Sequence, residues 1–440
     1  MFFNFGPSPD PMTIHPPRRR AFGCRLVSLT AAGLLCVSTV HADQRIPLTI
    51  AEAEDLALSD EPGLSELRAF ADALNEQSIA AGQLPDPVLR VGLSNYPIQG
   101  GNFSTEGMTQ AQLGIRQAFP RGRLRSMSTA NYRALASVQM ENAETRARSV
   151  LAATRIAWLE SYYWQRAGQV LDESRSLFDD LLQVTRSMYA VGRKTQSDVL
   201  RAELELRRID DRLIETSRSR SVAQGALSQW LGADAYRPAA NKLPAWKQLP
   251  SLETLRETLA GHPSMRAADA QIDARQAKIG IAEEQGKPGW ALDLGYGYRD
   301  GFLASGEPRS DFVSLSVVID LPIFKRNRQD RDLGAALSAR RAAISGKHRL
   351  RADLESKLAI EYAQWTELSR RLALYESDIL DLSASRAEAA MLAYQSDSGD
   401  FSEVMLGQID QLNTRLEHIR LQVERAQSYA ALANLGGIPR

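Results

Sequence analysis

The chain repeats itself once, and that duplication limits what it can build. Pro62 precedes the apolar run Leu64, Leu67, Ala71, and 201 residues on Pro263 precedes Met265, Ala268, Ile272. Pro85 and Pro288 close these runs at an offset of 203. Leu113-Gly114-Ile115 through Phe119-Pro120 matches Leu315-Ser316-Val317 through Leu321-Pro322 at 202. Tyr189, Ser197-Asp198-Val199-Leu200 and Gly232 match Tyr394, Ser402-Glu403-Val404-Met405 and Gly437 at 205. Four anchors in one order at nearly constant spacing mark a tandem duplication, about 49–232 and 251–437. The domain reading is therefore a first repeat at 43–232, a linker at 233–250 carrying Pro238, Pro244 and Pro250, and a second repeat at 251–440. Three prolines suit an extended connection.

Ahead of the repeats, Arg18, Arg19, Arg20 and Arg25 precede an apolar run from Leu26 to Val40, then Val40-His41-Ala42. This is the pattern of a secretory signal over residues 1–42. Its removal takes Cys24 and Cys36, the only cysteines, and leaves 49 basic and 52 acidic residues. An exported chain without cysteine has no disulfide framework and no thiol chemistry. Near-zero charge argues against nucleic acid as a partner, which calls for a basic face.

Each half reads helix, strand, strand, long helix, helix. The expected spans are about 50–83, 88–97, 109–119, 122–190 and 196–231, then 252–285, 290–299, 311–321, 325–395 and 400–435. Val170, Ser174, Leu177, Leu181, Val184 and Met188 step by fours and threes. Leu368, Leu372, Tyr375, Ile379, Leu382 and Ile409, Leu412, Leu416, Ile419, Val423, Ala426 do the same. Such seams belong to helices packed side by side at a shallow angle. A helix of roughly 69 residues spans about 100 Å, and the two shorter helices of a half, stacked end to end, match it. The product is a tall helical wall rather than a compact enzyme domain.

The strands alternate. Trp290, Leu292, Leu294, Tyr296 and Tyr298 interleave with Ala291, Asp293, Gly295 and Gly297; Val313, Leu315, Val317 and Ile319 interleave with serines and Val318. Leu89, Val91, Leu93, Leu113 and Ile115 repeat the dyad in the first half. Strands of about ten residues with one apolar and one polar face fit a transmembrane β-barrel, with Trp290, Tyr296 and Tyr298 as interfacial aromatics. Four strands cannot close a barrel, and an open edge in lipid leaves N–H and C=O groups unpaired. Several copies must share one; three give twelve strands. The expected fold is thus an α+β membrane protein, a homotrimeric 12-stranded outer-membrane β-barrel continued by an α-helical coiled-coil tunnel in the periplasm. A periplasmic coiled-coil scaffold protein, its strands forming a soluble sheet, is the competing class.

The helix–strand–strand–helix–helix plan, repeated, resembles the TolC family of outer-membrane efflux proteins. Tyr189-x-x-Gly192-x-x-x-x-Ser197-Asp198-Val199-Leu200-x-Ala202 is similar to that family's helix-turn signature, as are Leu84-Pro85-Asp86-Pro87 before a strand and Phe119-Pro120 after one. The Leu-Pro-Asp-Pro segment looks most like the heavy-metal cation branch. The resemblance implies a passive exit duct in the outer membrane, in contact with its lipid. It would be fed by an inner-membrane pump of the RND type through a periplasmic adaptor (membrane fusion protein). The cargo would be heavy-metal cations or, alternatively, drugs or a type I secreted protein. It implies opening by untwisting of helix pairs, and no cofactor.

No catalytic constellation stands out, and no His/Cys/carboxylate group has metal-site spacing. Glu283-Glu284 reads as surface charge. The turns near 191–198 and 396–403 lie at the far end of the helices. There the resemblance makes Asp198, Asp397, Asp400 and Glu403 candidates for the periplasmic gate, since a ring of acids attracts cations. Arg201 and Leu406 stand where some family members carry a further acid. Capping is the alternative, through Asp400 and through Thr195 or Ser197. Gly192, Arg193 and Lys194 are candidates for adaptor contact, Gly192 equally for a left-handed helix end.

Overall fold

The computed structural model describes residues 46–246, 248–396, 398–436 and 438. The expected signal segment 1–42, Asp397 and the expected repeat anchor Gly437 lie outside the described residues.

The first repeat comprises α1 (Ile50–Ser59), α2 (Pro62–Ala81), β1 (Val88–Ser94), β2 (Gln110–Phe119), α3 (Leu124–Ala190) and α4 (Gln196–Leu231). The second comprises α5 (Leu252–Thr258), α6 (Pro263–Gln285), β3 (Trp290–Tyr298), β4 (Phe312–Ile319), α7 (Gln329–Leu374), a π-turn (Tyr375–Ile379), α8 (Leu380–Gln395) and α9 (Phe401–Leu435). The expected order holds in both halves. The expected helices 50–83 and 252–285 each break in two. Pro62 and Pro263 take the first helical position of α2 and α6, where no N–H is needed. Glu61 and His262 cap these two helices, through Leu64 N at 2.6 Å and Ser264 N at 3.2 Å.

Column by column, α3 is the spine. Its 67 residues extend about 100 Å at the usual helical rise. α2 lies along its sheet-proximal half, with Thr129 Oγ1 donating to Ser78 O at 3.1 Å, and α4 along its distal half, with Arg175 on Asp210 at 2.7 Å. On the other flank α6 and α9 are stacked in the same way: Arg266 meets Glu141 near the sheet, and Arg420 meets Glu160 further down. α7 and α8 form the outermost column, joined to α9 by Arg371–Glu417 at 2.8 Å. Two short helices per long one build a wall, as their lengths require.

Its cores are strung along the wall. At the waist, Trp158 and Leu159 of α3 pack against Leu48, Leu227 and Val423. Fully burying a side chain of this kind is worth about 2–3 kcal/mol, and the indole N–H of Trp158 is satisfied by Leu48 O at 3.0 Å. Here residues 46–49 pair with the inter-repeat linker: Leu48 N donates to Pro238 O and Ala240 N to Leu48 O. Towards the far end, Phe178, Leu181, Leu206, Phe401 and Leu412 form a second cluster.

Two seams differ from expectation. On α3, Leu177 and Val184 are exposed while Phe178, Leu182 and Thr185 are buried. The helix packs on both α4 and α9, so its buried face is centred between them rather than on one partner. On the outer column Leu372 is buried but Leu382 is 67% exposed. The π-turn at 375–379 inserts a residue into the helical register and rotates everything beyond it; Ala387 and Tyr394 take the buried positions instead.

The four strands form one antiparallel meander, β1-β2-β3-β4. β2 and β3 come from different repeats and pair over nine rungs, from Ala111↔Tyr298 to Phe119↔Trp290. Both β1 and β4 leave an edge unpaired among the described residues. One face presents Leu89, Val91, Val313 and Leu315 at 66–75% exposure, with none of the described residues covering them. A contiguous apolar surface of this size marks a lipid or protein contact. Among the described residues no helix is long and apolar enough to cross a membrane.

Candidate functional site

Two places carry the polar detail: the helix tips and the junction beneath the sheet. At the first tip, α3 ends at Val191 with Gly192 in the left-handed region, φ 75°. Gly192 N donates to Tyr189 O and Arg193 N to Met188 O, both at 2.9 Å, which is the Schellman end. Glycine costs nothing at this φ. Three residues on, Thr195 caps α4. Its Oγ1 accepts from Asp198 N at 3.3 Å while Asp198 Oδ2 accepts from Thr195 N at 3.0 Å. Two free helix N–H groups are satisfied reciprocally, so the Asp198 carboxylate is held close to the chain.

At the second tip, Asp400 occupies the N-cap position of α9, φ −92° and ψ 144°, but its side chain makes no capping bond. Glu403, in the first turn, is exposed, with Arg386 at 4.0 Å; the Arg386 guanidinium also contacts Asp410. The two tips touch. Lys194 Nζ sits 4.5 Å above the Tyr394 ring, Tyr394 Oη donates to Met188 Sδ at 3.2 Å, and Arg201 donates to Ser402. Asp198, Asp400 and Glu403 thus lie on one end of the wall, and Lys194 joins its two turns. Asp397 lies outside the described residues. The link through Tyr394 was not legible in the sequence, although Tyr394 is the repeat partner of Tyr189 and could have been flagged on that ground.

At the junction, Glu284 corrects an expectation. It is 2% exposed rather than on a solvated face, while Glu283 is exposed. Glu284 Oε1 accepts from Lys287 Nζ at 2.7 Å and Oε2 from Arg123 N at 3.0 Å, where α3 begins. The Lys287 ammonium, then the Arg123 N–H, hold its carboxyl below the usual carboxylate range. Gly122, at φ 41°, passes so close that a Cβ would lie 2.0 Å from Glu284 Oε2. Nearby, Arg121 reaches Gln285 O at 2.7 Å and Asp320 at 3.5 Å. The strand-to-helix turn after Pro120 is therefore bolted to the other repeat.

On the sheet, Trp290 stacks on Phe119 at 4.0 Å near the helices, and Tyr298 on Phe103 at 6.3 Å near the loops. Tyr296 donates to Asp311. All three candidate interfacial aromatics stand on the apolar face, 46–49% exposed. Among the described residues no group of three His, Cys, Asp or Glu is placed to hold a metal ion.

The chain thus sets an apolar-faced sheet with open edges on a wall of long helices. Residues 254–437 match the outer membrane efflux protein family. The cobalt-zinc-cadmium resistance protein CzcC of Cupriavidus metallidurans is 29% identical over 141 residues, an alignment covering 32% of this chain and 32% of CzcC. Protein CyaE of Bordetella pertussis is 27% identical over 427 residues, covering 91% of this chain and 86% of CyaE. Among solved structures, the outer-membrane channel OprN superposes with a TM-score of 0.73 at 17% identity, over 88% of this chain and 89% of that one. The similarity to the outer membrane efflux proteins thus lies over the second half of the chain, and the fold as a whole is that of the outer-membrane channels.

Proposed function

We propose that three copies of this chain join edge to edge into a twelve-stranded barrel continued by a helical tunnel. The carrying observation is that the open edges coincide. β1 runs on from α2, and β4 leads into α7, so each flank of the chain offers a bare strand edge above a bare helix column. Exposed apolar residues line both columns: Leu200, Leu204 and Ile214 on α4, and Ile360, Leu374 and Leu382 on α7 and α8. Joining unlike flanks is a heterologous contact that closes only as a ring, and a closed ring leaves no strand edge in lipid. The first repeat, 43–232, is the same unit as the second, 251–440, with 233–250 as the tie between them and 1–42 as an export signal removed on the way.

The duct is passive. An inner-membrane pump of the RND type loads it through a periplasmic adaptor, which grips the tips at Gly192, Arg193 and Lys194. Heavy-metal cations are the cargo favoured by the similarity to CzcC. In the trimer, Asp198, Asp397, Asp400 and Glu403 each recur three times around the mouth and draw cations in. Trp290, Tyr296 and Tyr298 anchor the barrel at the membrane interface.

Glu403 is the acid to test. Its contact with Arg386 is exposed and contributes little to stability, so Glu403→Ala leaves the fold intact while removing three charges from the mouth. Block of single-channel current by divalent cations should weaken relative to wild type. Identical block in both proteins would remove Glu403 from the gate, and a leader-free protein that stays a water-soluble monomer would end the trimeric reading.

A further inference from the structure

The polar face of the sheet carries a charge arrangement of its own, at the opposite end of the chain from the acidic tips. Strand alternation puts Arg90 of β1, Arg116 of β2 and Asp293 of β3 on the face away from the apolar residues. Arg116 lies directly across from Asp293, and Arg90 lies across from Gly114, two residues along β2 from Arg116. Arg90 Nη2 is 3.8 Å from one Asp293 oxygen and Arg116 Nε 4.0 Å from the other. One carboxylate faces two guanidiniums across loose contacts, so each chain keeps one positive charge in excess.

The neighbouring acids do not cancel it, because Asp311 accepts from Arg299 N and from Tyr296 while Asp320 pairs with Arg121. Arg299, near the loops, is committed to Ser310 O at 2.8 Å and lies 3.8 Å over the Phe312 ring. Arg121, at the junction, is engaged by Asp320 and Gln285 O. Burial is asymmetric too: the Asp293 side chain is 20% exposed, Arg116 38% and Arg90 65%. The acid is covered and the bases stand clear. Around them the rungs are glycine and serine (Gly114, Gly295, Gly297, Ser314, Ser316), leaving a concavity of about 530 Å³ lined by both arginines.

We propose that Arg90 and Arg116 form a belt of fixed positive charge inside the duct at the level of the membrane, a selection site for anions. Rings of Arg or Lys serve anion pores in this way. The proposal rests on the trimeric barrel reading, in which the polar face lines the lumen and the excess charge recurs three times around it. An anion, or a metal ion carried by anionic ligands, is drawn through the belt; a bare divalent cation is opposed by it.

Take an ion on the axis about 10 Å from each guanidinium, in water, at 0.1 M salt. Removing three such charges changes its local concentration about twofold, and more as the salt is lowered. The experiment is the reversal potential of the reconstituted protein under a potassium chloride gradient. Arg90→Gln and Arg116→Gln should each lower chloride-over-potassium permeability about twofold, while Asp293→Asn should raise it by a similar factor. All three variants should migrate as the same oligomer as wild type. Wild-type channels whose selectivity is unmoved by either arginine change overturn the belt and leave the barrel standing. Wild-type protein that inserts in membranes but makes no channel overturns the barrel reading, and the belt with it.

Discussion

Arg155 offers the sharpest measure of how the waist of the wall is held. Its guanidinium makes two bonds to Glu54, Nε to Oε1 at 2.7 Å and Nη2 to Oε2 at 3.0 Å. It also lies 5.4 Å from the centroid of Trp246, which belongs to the inter-repeat linker. The Arg155 side chain is 7% exposed and that of Glu54 13%. Replacing Arg155 with Leu strands a nearly buried carboxylate, and breaking a buried pair on one side costs about 3–5 kcal/mol. Because some water reaches Glu54, the low end, about 3 kcal/mol, is the expected loss. A chain of this length has an unfolding entropy of about 0.8 kcal/mol per degree, so the midpoint should fall by about 4 °C. The assay is thermal unfolding followed by far-UV circular dichroism, at fixed protein and detergent concentration. Arg155→Leu, Glu54→Leu and the double variant complete a mutant cycle. If the stranded charge is the cause, the double variant recovers most of the loss, because an apolar pair in the same space is close to neutral. A double variant no more stable than Arg155→Leu alone would refute this account and assign the loss to packing on Trp246.

Thr195→Ala removes the reciprocal cap of α4 and should cost about 1 kcal/mol; amide exchange should speed up over residues 196–199 and stay unchanged in α3. His262 carries a pH dependence of definite sign. Its Nδ1 accepts from Ser264 N, its Nε2 meets Asn434 O, and burial pushes its pKa below the usual 6.5. The folded state holds it neutral while the unfolded chain takes up a proton, so stability should fall as pH drops through about 6.5. His262→Asn should flatten that fall in melts between pH 8 and 5.5, and an unchanged slope would reassign it to other groups.

Much of this molecule is written in short-range pattern. The period-two alternation of β3 and β4 needs no distant residue, and the sequence places both strands within two residues of their ends. The prolines at 62 and 263 mark helix starts, though reading through them merged two helices into one. Composition and periodicity together point to a wall of helices and a sheet with one apolar face, because strand faces and helix stripes are properties of neighbouring residues. Side-chain destinations are another matter. Glu284 follows Glu283 on a helix rich in polar residues, and nothing local says that it turns inward to meet Arg123 N, 161 residues away. Leu382 continues a perfect heptad and is exposed, since a single π-turn rotates the face beneath it. Lys194 meets Tyr394, and Arg90 and Arg116 share Asp293, only because two halves of the chain come together across the β2–β3 pairing and the paired tips. The elements and their faces follow from the order of the residues; the charges that could select cargo depend on which distant groups the tertiary packing sets within a few ångströms, where electrostatic energy is decided.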